Sequence, residues 1–419
     1  MSILIKNGCV ADDRKEIKAD VLIEDGRITR IGHIDADADR VIDAEGLTVM
    51  PSFVEMHAHQ GDAPATLARA ALAGGYTRVA LLPDSDPPID GEMGIRYIRD
   101  KYRGLPIEVF PIGGISKGLK GEELSEMGKI AGAGAAALSD VSGIKDPVFA
   151  SKALRYARLA GVPLMFMPED CGGLMNEGNY STLYGLAGIP AEIEEILINI
   201  MAVLSEREGV PVHIMDMSTA ASLEDLCRGR EQGAPITADV TPYHLVLDES
   251  EMGDYDTTLK INPPLRGRND VEALRDAVRQ GRIDAISSDH RPKSKVVKNT
   301  EFAKADFGIS GIETAFPIIA TYLLGEGVIG IKDLVRLMSV RPAEILGQKP
   351  VRMEEGGRAD IVIADMDREF TLDGMISESN NPFLGSTLTG TVMCTIASGE
   401  VAWERSGSYA YAEISGGYR

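Results

Sequence analysis

"FVEMHAHQGD", residues 53–62, carries an apolar run into two histidines one residue apart, His57 and His59. In a strand, residues i and i+2 point to the same side, so both imidazoles are expected to project into one site. Such a pair can supply the first two ligands of a metal ion, or it can be an ordinary pair of core or surface residues. The chain on their C-terminal side decides the fold. Strand-like runs recur as "TRVALLP", "IEVFPIG", "AALSDVS", "PLMFMPED", "PVHIMDM", "PITADVTP" and "IDAISSDH". Helical patterns such as "APATLARAALAGG", "PAEIEEILINIMAVLSEREG" and "RNDVEALRDAVRQG" lie between them. Eight strands alternating with helices predict an α/β chain whose parallel sheet closes as a (β/α)8 TIM-type barrel. A doubly wound open sheet is the competing arrangement, but no GxGxxG or GxxxxGKS/T phosphate loop comes after the early strands.

The chain ends have another texture. "ILIKNGCV", "ADVLIEDGRITRIG" and "RVIDAEGLTVM" set apolar residues around Asn-Gly and Asp-Gly, which are hairpin signals. "ADIVIADMD" and "GTVMCTIASGEVAWE" repeat the style near the other end. Neither end has enough strands to bury a face alone, so residues 1–50 plus 350–419 are expected to form one small β-sandwich domain. Residues 51–349 are then the barrel domain.

Composition narrows the function. The 419 residues are 44% hydrophobic and 26% charged, an ordinary globular balance. Lys and Arg number 43 against 64 Asp and Glu, a formal net charge of −21. That disfavours nucleic acid or an anionic membrane as partner. No apolar run is long enough for a membrane span, and the first residues lack a signal-peptide pattern, so a cytoplasmic location is expected. Cys9, Cys171, Cys227 and Cys394 are scattered without a CxxC, which argues against a cysteine-built zinc site.

Barrel active sites gather at the C-terminal ends of the strands. The eighth strand ends in "SSDH", which puts Asp289 and His290 at the same rim as His57 and His59. A carboxylate there suits a metal ligand or general base, and also suits a turn cap. "PSFVEMHAH", "GGYTRVALLPDSDP", "VTPYHL", "KINPPLRGRNDVEALRDAVRQGRIDAISSDH" and "FGISGIETAFP" together resemble the amidohydrolase superfamily, and within it the type I dihydroorotases. The resemblance runs over nearly the whole chain, split β domain included. It implies a metal-dependent hydrolase in which a metal-bound hydroxide attacks, or in reverse forms, a cyclic amide. By the same resemblance Asp289 is proton shuttle and ligand, and His57 and His59 are ligands of the first metal. Asp140, in "LSDVSG", stands where the family has a bridging carboxylate; it reads equally as a turn-forming Asp, since the adjoining acid is Val141 here. Lys145 is expected to be solvated beyond the strand end.

Several positions depart from the family pattern. Met167 and Asp216 stand where two histidines would hold a second metal, and a thioether is a poor zinc ligand. His213 is expected to be structural, facing away from Asp216. Gly61 replaces the Arg of the family's HxHxR motif, and Asp84 replaces the Asn that helps it grip a substrate carboxylate. Asn262 and His244 match substrate-binding positions; Tyr243 and Lys293 stand where histidines are usual, and Arg266 matches but reads equally as a surface residue. The expectation is a single zinc ion, held by His57, His59 and Asp289 with Asp140, or else a rebuilt pair of ions involving Asp216, and a neutral or cationic cyclic amide or ureide as substrate. A homodimer fits this class. The alternative is a catalytically silent homologue serving as structural or regulatory partner, for example of aspartate carbamoyltransferase.

Overall fold

A computed structural model describes residues 2–142, 146–168, 172–378 and 380–405. Eight parallel strands succeed one another around a barrel: β1 (Phe53–Ala58), β2 (Tyr76–Leu81), β3 (Glu108–Gly113), β4 (Ala137–Ser139), β5 (Leu164–Phe166), β6 (Val212–Ile214), β7 (Ile236–Val240) and β8 (Ala285–Ile286). Val54, Met56, Ala80, Ile112, Ala137, Met165 and Ala285 belong to one buried cluster. They come from six different strands, and strands spaced around a barrel can share such a cluster only inside its lumen. The interior is packed with side chains, and the chemistry is left to the rim.

The ladder runs from β1 through to β8 and stops there. Side chains and one backbone bond close the remaining seam. The His59 N–H donates to the His290 carbonyl at 2.8 Å. The buried Glu55 carboxylate accepts from the Ser287 hydroxyl and, at 3.0 Å, from the Ser288 N–H. A carboxylate on β1 thus holds β8 in place beside it.

Helices cover the outside for local reasons. In Pro147–Ala160, Asp146 caps the start by accepting from the Val148 N–H, Pro147 fits the first turn, and Gly161 ends the helix at φ 71°. Phe149, Ala150, Ala153, Leu154 and Ala157 form its buried stripe. In Ala220–Glu231, Thr219 accepts from the Ser222 N–H, which sets the direction of the chain just after β6.

The chain ends combine in a second sheet. Its strands are Ser2–Ala11, Glu16–Glu24, Arg27–Gly32, Arg40–Asp43, Thr48–Pro51, Ile361–Thr371, Thr387–Ala397 and Glu400–Glu404. Ile361–Thr371 pairs antiparallel with Thr48–Pro51, which joins the two ends of the sequence. The Asp25-Gly26 turn has φ of 48° and 77°, the left-handed pair that a two-residue hairpin requires. All eight strands belong to one hydrogen-bonded sheet. It curls enough for Ile5, Val21, Ile28, Val49, Ile363 and Ile396 to share one cluster, so the sandwich-like core belongs to a single sheet.

Candidate active site and metal centre

Asp239, on β7, organises the site. It is fully buried, and its Oδ2 faces His57 Nε2 at 2.6 Å and His213 Nε2 at 2.9 Å. Its Oδ1 accepts from the Asp216 N–H at 2.8 Å. Burial alone would push this carboxyl up, but the two imidazoles hold it well below the usual carboxylate range. Burial likewise disfavours charge on His57, yet the Asp239 carboxylate outweighs it and raises the ring well above an ordinary histidine. The hydrogen bond assigns the Nε2 proton to the Asp239 side, so Nδ1 is the nitrogen that a cation would take in place of its proton.

Asp216 and Asp289 flank that nitrogen. Their backbones take φ of 54° and 43°, left-handed positions that a non-glycine residue adopts only where the surroundings hold it. Asp289 Oδ1 lies 3.9 Å from His57 Nδ1 and 3.2 Å from His59 Nε2, within ion-pair reach but without hydrogen-bond alignment. Burial would raise Asp289, and the two histidines keep it below the usual range. Asp216 goes the other way, raised well above its ordinary value by burial and by the Asp289 charge. Two neighbouring carboxyls of opposite tendency are the mark of a site suited to proton handling.

Four buried atoms here have no hydrogen-bond partner: His57 Nδ1, both Asp216 oxygens and Asp289 Oδ1. An unsatisfied buried polar group costs about 1–3 kcal/mol, so a fold retains such a cluster only where something else satisfies it. One ligand atom from each of His57, Asp216 and Asp289 lies within 4.8 Å of the others. One imidazole nitrogen with two carboxylates suits a divalent cation such as zinc.

His59 stands at the edge of this group. Its Nδ1 meets Asp84 Oδ2 at 2.5 Å, and that carboxylate raises the ring against the opposing effect of burial. Asp84, expected on the substrate side, is therefore the partner that fixes His59. Its second oxygen, Oδ1, is buried and unpartnered.

Other sequence expectations meet different surroundings. Asp140, read as a possible bridge, is committed to the loop after β3. Its Oδ1 accepts from the Ile115 and Ser116 N–H groups, each at 2.8 Å, and its Oδ2 from the Ser116 hydroxyl at 2.5 Å. It lies outside the His57–Asp216–Asp289 group, and with its oxygens so occupied it serves as a turn anchor. His244 uses both nitrogens on the scaffold, with Thr241 Oγ1 at 2.9 Å and the Pro263 carbonyl at 3.0 Å. Asn262 donates to Met167 Sδ at 3.7 Å, and its Oδ1 stays unpartnered. Met167 is itself part of the buried apolar cluster. Arg266 is buried rather than superficial, bonded to Ser218, Asn176 and the Ile189 carbonyl. Lys293 pairs with Asp306 at 3.0 Å. Lys145 lies outside the described residues.

Asp239 and Glu55 escaped the sequence reading, although both were accessible to it. In "PITADVTP" Thr237 and Asp239 repeat the i, i+2 polar spacing of His57 and His59, and in "FVEMHAH" Glu55 precedes His57 by the same step. A carboxylate inside a fully buried strand is a stronger signal than one at its end. His213 does not face away from Asp216's surroundings: the strand ends at Ile214, and alternation no longer applies at the left-handed Asp216.

Comparison with known proteins agrees with this architecture. The dihydro-orotase-like family model matches residues 46–222, and the amidohydrolase family model matches residues 200–402. The dihydroorotase of Caldanaerobacter subterraneus subsp. tengcongensis is 40% identical over 99% of this chain and 100% of its own length. The chain belongs to the dihydroorotase family. Another dihydroorotase, from Acetivibrio thermocellus, is 39% identical over 95% of this chain and 98% of its own. Among solved structures, the L-hydantoinase of Arthrobacter aurescens superposes with a TM-score of 0.85 over 95% of both chains at 22% identity, a likeness of fold. A dihydropyrimidinase from Brevibacillus agri NCHU1002 gives 0.83 at 23%.

As a dihydroorotase-family amidohydrolase, this chain belongs among proteins that usually bind metal ions, and the His57–Asp216–Asp289 group matches that habit. The catalytically silent alternative is not favoured, because full-length relatives carry the enzyme's name and the buried acidic cluster persists. No helix among the described residues is long and apolar enough to cross a membrane.

Proposed function

We propose that this dihydroorotase-family chain opens, and in reverse closes, a cyclic amide at the rim between β1, β6 and β8, with dihydroorotate as the first substrate to test. The observation that carries the reading is the clustering of His57, Asp216 and Asp289, each with a buried unpartnered atom and each offering one ligand atom within 4.8 Å of the others. His57, Asp216 and Asp289 would hold one zinc ion, with His59 beside it through Asp289. When bound, such an ion supplies Lewis-acid polarisation of a carbonyl and lowers the pKa of water.

The chain's own residues do the rest. Asp239 fixes the His57 ring so that Nδ1 faces the site. Asp289 takes a proton from the attacking water and delivers it to the ring nitrogen that leaves, and its ionised state is prepared by His57 and His59. Met167 and the lumen cluster beneath exclude water from below. We place the activity in the cytoplasm, with a homodimer and an association with aspartate carbamoyltransferase as the assemblies to look for by light scattering.

The test is metal content by elemental mass spectrometry after zinc loading and desalting, alongside ring opening of dihydroorotate followed by ultraviolet absorbance. About one equivalent, lost in Asp216→Asn and Asp289→Asn, together with turnover, is the expected result. Absence of retained metal in the unaltered protein overturns the proposal.

A further inference from the structure

Two neighbouring helices on the outside of the barrel, Pro147–Ala160 after β4 and Glu192–Glu208 after β5, keep large apolar residues in solvent. In the first, Val148 is 61% exposed and Leu159 79%; in the second, Ile196 is 53% exposed and Val203 47%. The helices lie side by side. Arg155 Nε meets Glu208 Oε1 at 2.8 Å, and Arg158 Nη1 donates to the Glu208 carbonyl at 3.5 Å. β4 and β5 stand across the barrel from the seam of β8 with β1, so covering this face leaves the rim at that seam open.

Glu192–Glu208 is apolar on both sides. Leu197, Ile198, Met201 and Ala202 are buried, while Ile193, Ile196, Ile200 and Val203 run along the outer side, half-buried or exposed. The outer four step by three, four and three residues, which is the spacing of a seam laid against another helix. A helix apolar all round is stable between two layers, and the barrel supplies only one. Val148 and Leu159 carry the strip onto the neighbouring helix. Single exposed apolar residues are ordinary, but a strip shared by two adjoining helices marks an interaction surface.

Charge decides what covers it. Acids outnumber bases in the chain by 64 to 43, so two copies repel each other over most of their surface. Pro147–Ala160 runs against this balance, with Lys152, Arg155 and Arg158 and no acid. Glu192–Glu208 carries five glutamates and one arginine. Lys152, Glu192 and Glu206 make no ion pair among the described residues. A two-fold axis between the two helices lays the basic one of each copy on the acidic one of the other, apolar strip on apolar strip.

We propose that this two-helix face is a self-complementary docking surface for a second copy of the chain. It supplies the surface for the homodimer that accompanies the functional reading, and it does not depend on the chemistry at the rim. A partner of one charge sign would be attracted by one helix and repelled by the other. A second copy satisfies both, because two-fold symmetry makes each basic-on-acidic contact twice.

The test is sedimentation velocity on the full chain, alone and in mixtures. The unaltered protein is expected to run as a dimer of the 45.0 kDa chain. One variant combines Lys152→Glu, Arg155→Glu and Arg158→Glu, which leaves both helices acidic. The other combines Glu192→Lys, Glu195→Lys and Glu206→Lys, which leaves both outer faces basic. Either alone should weaken self-association by about 100-fold, since like charges then face one another across the interface. Mixed in equal amounts, the two should restore a dimer, a recovery that a merely misfolded variant could not show. A monomeric unaltered protein, a dimer that persists in both variants, or a mixture that stays monomeric each overturns the assignment. Zinc content and dihydroorotate turnover, read on the same samples, should match the unaltered protein throughout, so failure of the interface and failure of the functional reading are told apart.

Discussion

Asp216→Asn should make the metal-free protein more stable while removing its response to zinc. The side chain is fully buried, both oxygens are unpartnered, and a ligand atom of Asp289 lies within 4.8 Å. Two unit charges at that separation repel by about 3 kcal/mol at an effective dielectric near 20. Part of this is already relieved, because burial and Asp289 hold the Asp216 carboxyl well above its ordinary value. Asparagine keeps the shape, tolerates the left-handed backbone and presents an NH2 that can donate to Asp289, so a net gain of about 1–2 kcal/mol is expected. For 419 residues the unfolding entropy scales to about 0.9 kcal/mol/K, so the melting temperature in chelator should rise by roughly 1–2 °C. In the unaltered protein, zinc at 100 times its Kd should add about 2.7 kcal/mol, and the variant should lack this increment. Differential scanning calorimetry with EDTA and with zinc reads both effects. A variant that melts lower in EDTA, or that gains as much from zinc, would refute the claim that Asp216 is kept for a cation at the expense of stability.

Asp239→Asn removes the charge that orients His57 and His213, and should weaken zinc binding about 10- to 100-fold in competition with a chromophoric chelator. Burial, then the neighbouring Lys260, push the Lys298 ammonium down to about 8, while the unfolded chain keeps that proton to about 10.4. The unfolded state binds more protons between those values, so this group makes stability rise with pH; Lys298→Met should abolish about 2 kcal/mol of the rise between about pH 7.5 and about pH 9.5 in urea titrations. Gly74→Ala should destabilise by about 1–3 kcal/mol in the same assay, because its Cβ would lie 2.0 Å from the Ile312 carbonyl oxygen, which is backbone and cannot swing aside.

The barrel was legible because parallel strands buried on both sides write themselves as apolar runs between helices, and the runs ending in His57 and Asp289 do lie side by side. The end sheet was legible from its turns, Asp25-Gly26 above all. Less visible was anything that depends on which partner a polar group finds across the barrel. Asp140 and Asp216 look alike in sequence, each an acid just beyond a strand, yet one is absorbed by two backbone N–H groups and the other is left bare. His244 matched a binding position, and nothing in its sequence surroundings told that its two nitrogens would meet Thr241 and the Pro263 carbonyl.

The pairing of Thr48–Pro51 with Ile361–Thr371 also imposes an order in time. The earlier strand leaves the ribosome about 310 residues before the later one. At the usual 5–20 residues per second it waits roughly 15–60 seconds with an unpaired edge. During that interval the barrel can be assembled, while the hairpin of Glu16–Glu24 and Arg27–Gly32 guards only the far side of the nascent sheet. A waiting apolar edge is a template for pairing with another nascent chain. Yield in cells should therefore respond to translation speed downstream of the barrel more than to any single substitution within it.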